Sequence, residues 1–189
     1  MMSTRRKKKI KEENSELVAK VSGFDVCSEA SINIDLRMDR PFLSRDTDLA
    51  HEFVTTLEIV GEFISPRSHI GELLELTIRG CEPHSGDFST TLKDYQTRDK
   101  YRAPIYRTYR GEQIPVYEAP PGIALLNKVR GQNAWNAWLW LSARLVSDML
   151  IVLNSKRDLY INIQELKKDR KRWIQSLSLQ TSHELFNDR

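Results

Sequence analysis

Residues 159–180 read LYINIQELKKDRKRWIQSLSLQ. Leu159, Ile161 and Ile163 alternate with Tyr160, Asn162 and Gln164, the period of a strand whose side chains point to opposite faces. Beyond the bend KKDRKR at 167–172, Trp173, Leu177 and Leu179 alternate with Ile174, Ser176 and Ser178. A single helix over 160–180 competes with this reading, because Glu165 to Arg172 are helix formers. Alternation on both sides of the bend decides for a hairpin.

The same period recurs upstream. In ASINIDLRM, residues 30–38, Ile32, Ile34, Leu36 and Met38 alternate with Ser31, Asn33, Asp35 and Arg37. Val54, Thr55, Thr56, Ile59 and Val60 predict a strand from about Phe53, since β-branched residues favour a pleated surface. Leu74, Leu76 and Ile78 alternate with Glu75, Thr77 and Arg79. Two short strands over 104–110 and 113–118 flank a turn at Gly111-Glu112, and Pro115 places the second at a sheet edge. AWLWL at 137–141 is apolar on both faces, which predicts a central, covered strand, and Trp135, Trp138, Trp140 and Trp173 are expected in the core. Ser142 is placed to cap a helix over 143–153, where Leu145, Val146, Met149, Leu150 and Leu153 recur at helical spacing.

The count gives a mainly β fold: an antiparallel sandwich or partly open barrel of about seven strands with one core helix. The 189 residues and 40% hydrophobic content suit one domain. Its expected bounds are 21–183, after a basic, disordered tail over 1–20 and before a short C-terminal tail over 184–189. No apolar run follows the basic N-terminus, so export is not expected. The longest apolar stretch, residues 134–153, carries Arg144 and Asp148 near its middle. It therefore reads as a strand and a helix rather than a membrane span. The sequence reading is thus a cytoplasmic chain with free thiols at Cys27 and Cys81 and no membrane contact.

Catalytic signatures are sparse. The chain lacks a nucleophile elbow, a phosphate loop, a zinc-protease helix and a dinucleotide fingerprint, so no cofactor or metal is assigned. Cys81-Glu82-Pro83-His84, with His69 a hairpin away, is the one candidate for a nucleophile and base, or for part of a zinc site. Acid pairs such as Asp46/Asp48 and Asp94/Asp99 carry no defined separation across a cleft.

Charge is more informative. Residues 5–11 carry +6; residues 93–110, KDYQTRDKYRAPIYRTYR, carry six bases and two acids, hence +4; residues 167–172 carry +4. These tracts sum to +14 in a chain of net +3, so the remainder is −11. The candidate partner-binding residues are therefore Arg98, Lys100, Tyr101, Arg102, Tyr106, Arg107, Tyr109 and Arg110, with Lys167, Lys168, Arg170, Lys171 and Arg172 at the bend. Arginine forks fit phosphate or carboxylate, and tyrosine faces stack on bases or anchor interfaces. The expected function is a non-catalytic binding domain whose basic loops meet nucleic acid or an acidic protein surface. A small β-rich enzyme using Cys81 or His84, or a structural subunit of a larger assembly, are the alternatives.

Overall fold

The computed structural model describes residues 12–32, 51–81, 92–155, 157–168 and 170–182. Its strands are β1 (Glu13–Ile32), β2 (His51–Ser65), β3 (Leu73–Cys81), β4 (Tyr106–Tyr109), β5 (Glu112–Pro115), β6 (Ala124–Leu125), β7 (Asn127–Lys128), β8 (Ala134–Ser142), β9 (Tyr160–Lys168) and β10 (Lys171–Gln180), with helix α1 (Ala143–Leu153) between β8 and β9. The fold is mainly β, as the alternation predicts. Eight strands form one sheet in the order β6-β10-β9-β1-β2-β3-β8-β7, and β4 and β5 form a separate pair.

The large sheet curls almost into a ring. Its two ends meet in one stretch of chain, residues 123–129. Ala124 and Leu125 pair with Ile174 and Trp173 of β10, and Asn127 and Lys128 pair with Asn136 and Trp135 of β8. Ile123 N donates to Ile174 O at 2.7 Å, and Val129 N to Ala134 O at 2.9 Å. This closing segment bonds only one end of the seam. Towards the other end α1 packs on β2, β3, β8 and β10, turning Val146, Met149 and Leu153 inward. Ser142 Oγ accepts from Leu145 N at 3.3 Å, the cap expected from sequence. The interior is filled by Leu17, Leu57, Ile59, Phe63, Leu74, Leu76, Ile78, Leu139, Ile161, Ile163 and Ile174. No helix among the described residues is long and apolar enough to cross a membrane.

Four expectations need correction. The sheet is mixed rather than wholly antiparallel, because β3 and β8 run parallel from Leu73↔Ala134 to Cys81↔Ser142. Residues 13–20, expected in the tail, belong to β1: Leu17 and Ala19 point inward against β9, and the charges around them hide that alternation. The strand expected over 30–38 is seen only to Ile32; its remainder, like residues 1–11 and 184–189, lies outside the described residues.

The fourth concerns β8. Trp135 is buried, as expected, but Trp138 is 60% exposed, so the strand is covered on one face alone. Ala137 and Leu139 face the core, and Trp140 sits outward under Arg79, whose Cζ lies 5.0 Å from the ring centroid. Trp138→Ala should accordingly cost less than about 1 kcal/mol in chemical denaturation, where core truncation of a large aromatic would cost ~3–5 kcal/mol. A loss in the larger range would place that ring in the core.

Candidate functional site

Residues 92–121 leave the barrel after β3 and fold upon themselves as an arm. Thr97 N donates to Val116 O at 2.8 Å, Ile105 N to Thr97 O at 2.9 Å, and Glu118 N to Tyr95 O at 2.8 Å. These bonds stack three short segments, and β4 and β5 extend the last two into a hairpin. The side chain of Asp99 shapes the loop before it, accepting from Tyr101 N at 2.8 Å and Ala103 N at 2.9 Å. Lys100, Tyr101 and Arg102 are thereby carried outward on a fixed turn.

The backbone places arginine where arginine is disfavoured. Arg102, Arg110 and Arg170 have φ of 66°, 50° and 64°, and they are the non-glycine residues with positive φ among those described. Left-handed backbone costs an L-residue about 1–2 kcal/mol, and Gly or Asn would relieve it. Arg110 and Gly111 together form the two-residue turn with both φ values positive that right-twisted hairpins prefer. A cation thus sits at each of these three turns, including the tips of the β4–β5 and β9–β10 hairpins, against local conformational preference.

The eight predicted arm residues, Arg98, Lys100, Tyr101, Arg102, Tyr106, Arg107, Tyr109 and Arg110, are all exposed. Tyr101 is 77% exposed, Tyr106 52% and Tyr109 53%. Among the described residues, no carboxylate lies within ion-pair distance of Arg98, Lys100, Arg102, Arg107 or Arg110. Two cations lie beside rings instead: Lys100 Nζ is 4.8 Å from the Tyr101 centroid and Arg110 Cζ is 5.3 Å from that of Tyr109. At the root of the arm a cleft of about 340 Å³ is lined by Asp94, Tyr95, Gln96, Arg98 and Glu118 among others. Among the described residues, the buried Nε2 of Gln96, which lines this cleft, has no hydrogen-bond partner.

The bend at 167–172 divides. Arg170 and Lys171 are exposed, the latter with Nζ 5.5 Å from the Trp173 centroid. Lys168 pairs with Glu12 at 2.8 Å, and Lys167 lies 3.9 Å from Glu165. Arg172 turns inward. Its Nε and one terminal nitrogen both donate to the carboxylate of Glu165, the latter at 3.0 Å, and its Cζ lies 4.2 Å from the Trp135 centroid. No hydrogen bond or ion pair joins the arm to this bend among the described residues.

Arg172 belongs to a buried polar network that motif reading misses. Fully buried Glu165 also accepts from Ser15 Oγ at 2.7 Å. The same terminal nitrogen of Arg172, Nη2, also lies 3.2 Å from His69 Nε2. His69 Nδ1 stands 2.5 Å from Glu72 Oε2, and Glu72 accepts further from Trp135 Nε1 at 2.7 Å and Lys128 Nζ at 3.0 Å. A guanidinium only donates, so Nε2 accepts and the proton of a neutral His69 sits on Nδ1, aimed at Glu72. These groups come from β1, β7, β8, β9, β10 and the chain before β3, so they knit both sides of the seam. Their separation in sequence defeats any spacing rule. One signal was available: Glu165 continues the inward series Ile161, Ile163, and Arg172 shares parity with inward Ile174.

The hydrogen bond from His69, helped by those of Trp135 and Lys128, outweighs burial and holds the Glu72 carboxyl down at about 2. A carboxyl depressed on folding stabilises the fold above its unfolded pKa, and that contribution disappears as pH falls towards the folded value. Stability attributable to Glu72 should therefore be full above about pH 4.5 and lost between there and about 2. Melting temperatures across that window should show the wild type losing more than Glu72→Gln; parallel curves would contradict the assignment.

His69 stands at the opposite end of β3 from Cys81. Eight residues at ~3.3 Å each separate Leu73 from Cys81, about 26 Å, so His69 cannot serve as the partner of Cys81 in that candidate cluster; His84 lies outside the described residues. No group of three or more metal-ligating side chains occurs among the described residues. Compared with known proteins, the chain matches no family model, no curated protein and no solved structure.

Proposed function

We propose that this protein is a binding module that holds single-stranded nucleic acid on its basic, tyrosine-bearing arm. The observation that carries the reading is the interleaving of exposed Tyr101, Tyr106 and Tyr109 with five cations that no carboxylate of the described chain neutralises. Exposed rings offer flat faces on which unpaired bases stack, at about 1–3 kcal/mol per base. The neighbouring cations reach the backbone phosphates, and arginine does so bidentately. Paired bases hide their faces within a duplex, which favours a single strand. The positive-φ arginines support the same reading, since a cation is retained at a strained tip.

Affinity should fall steeply with salt. Each phosphate contact on a single strand contributes about 0.7 to the slope of log affinity against log salt, so five cations give about 3.5. Arg107→Glu with Arg110→Glu should lower that slope by about 1.4 and weaken all base sequences alike. Tyr101→Ala should weaken binding without changing the slope. Fluorescence anisotropy with a labelled oligonucleotide reads all three quantities. Absence of binding at about 50 mM salt, or a slope indifferent to the charge reversal, would overturn the reading. If polyglutamate competes as well as the oligonucleotide, the arm reads charge alone and its natural partner is an acidic protein.

A further inference from the structure

The outward face of β1, β2, β3 and β8 is an ordered array, because the registers align its residues in rows. One row runs Asp25, Glu58, Thr77, Trp138; its neighbours run Gly23, Val60, Glu75, Asn136 and Cys27, Thr56, Arg79, Trp140. Asp25 and Glu58 stand directly opposite each other, and like charges so placed repel. Neither they nor Glu75 has a cation partner among the described residues. The array's one cation, Arg79, lies against Trp140. Beside these carboxylates Trp138 presents the largest exposed ring of the barrel wall. The face thus combines uncompensated negative charge with an indole, the ring that attracts a guanidinium most strongly.

The complement of that face is already in the molecule. We infer that this wall docks the arm of a second copy of the chain. The arm offers unpaired arginines and exposed tyrosines where the wall offers unpaired carboxylates and a tryptophan. Their sizes agree: Tyr106 to Arg110 spans about 13 Å, and three strand spacings across a row span about 14 Å. Docking in the same copy is not seen, for no hydrogen bond or ion pair joins the arm to this face among the described residues. Arm and wall are different surfaces, so the contact is head-to-tail, and it closes a ring or propagates as an open chain. It uses the arm's charge but does not depend on nucleic-acid binding. Where both occur, an oligonucleotide competes for the arm and dissolves the assembly.

Charge swapping tests this with the full chain in analytical ultracentrifugation. The wild type should self-associate at about 50 mM salt and dissociate by about 200 mM. Glu58→Lys with Glu75→Lys, and separately Arg107→Glu with Arg110→Glu, should each weaken self-association at least about tenfold, because like charges then face each other. Mixing the two variants should restore association, since the acidic arm of one now meets the basic wall of the other. All four positions are exposed, and circular dichroism checks that each variant folds. A monomeric wild type at low salt, or wall variants that associate normally, would overturn the inference. The wall variant should still bind oligonucleotide, at least as tightly as the wild type because its arm is no longer occupied, so failure of nucleic-acid binding and failure of self-docking are read separately.

Discussion

Arg172→Leu should destabilise the folded chain by about 3–5 kcal/mol, the usual cost of removing one member of a buried ion pair. The cause is the carboxylate left behind. Glu165 is fully buried, and without the guanidinium it keeps Ser15 and a lysine 3.9 Å away. Stacking on Trp135 and the bond to His69 are lost as well. Replacing Glu165 and Arg172 together by leucine should recover most of the loss, because an apolar pair of similar volume needs no desolvated charge. Urea unfolding of the two single variants and the double reads the coupling. A single-variant cost below about 1 kcal/mol would show that the seam does not rely on this network. The charged side chain at 172 would then be free to serve a partner.

Gly122→Ala should be the next most damaging change, at about 3 kcal/mol. Gly122 has φ +124°, and a Cβ there would lie 2.6 Å from Ile174 O and 3.2 Å from the Trp173 side chain. Strained backbone of this kind costs about 1–3 kcal/mol, and the obstructed carbonyl is the one that accepts from Ile123 N. Relief requires the closing segment to move off β10, losing a hydrogen bond worth ~1 kcal/mol. Gly111 is the control. It also has positive φ, but its missing Cβ would meet nothing within 4 Å, so Gly111→Ala should cost only the backbone strain. Equal losses at the two sites would refute the role given to the seam.

What could be read in advance depended on the range of the interactions. The hairpin at 160–180, the strands at β2 and β3 and the Ser142 cap are local patterns, and each is found where the alternation places it. The arm's hairpin was legible too, with its turn one residue earlier than expected, at Arg110-Gly111. Trp138 was misplaced because apolar residues on both sides of a strand look alike whether the outer face is covered or bare. The parallel β3–β8 pairing and the polar network depend on contacts between residues scores of positions apart, which no single stretch of sequence encodes. Arg172 shows the consequence. Composition groups it with its basic neighbours, while the inward parity of β10 assigns it to the barrel seam.

The arm's role is tested most directly by residue-resolved nuclear magnetic resonance of the isotope-labelled chain during titration with a single-stranded oligonucleotide at about 50 mM salt. Amide shifts should concentrate between Gln96 and Tyr117, largest near Tyr101 and Arg110, with the seam residues His69, Glu72 and Glu165 unmoved. Shifts confined to the barrel, or none at all with oligonucleotide in excess, would contradict it.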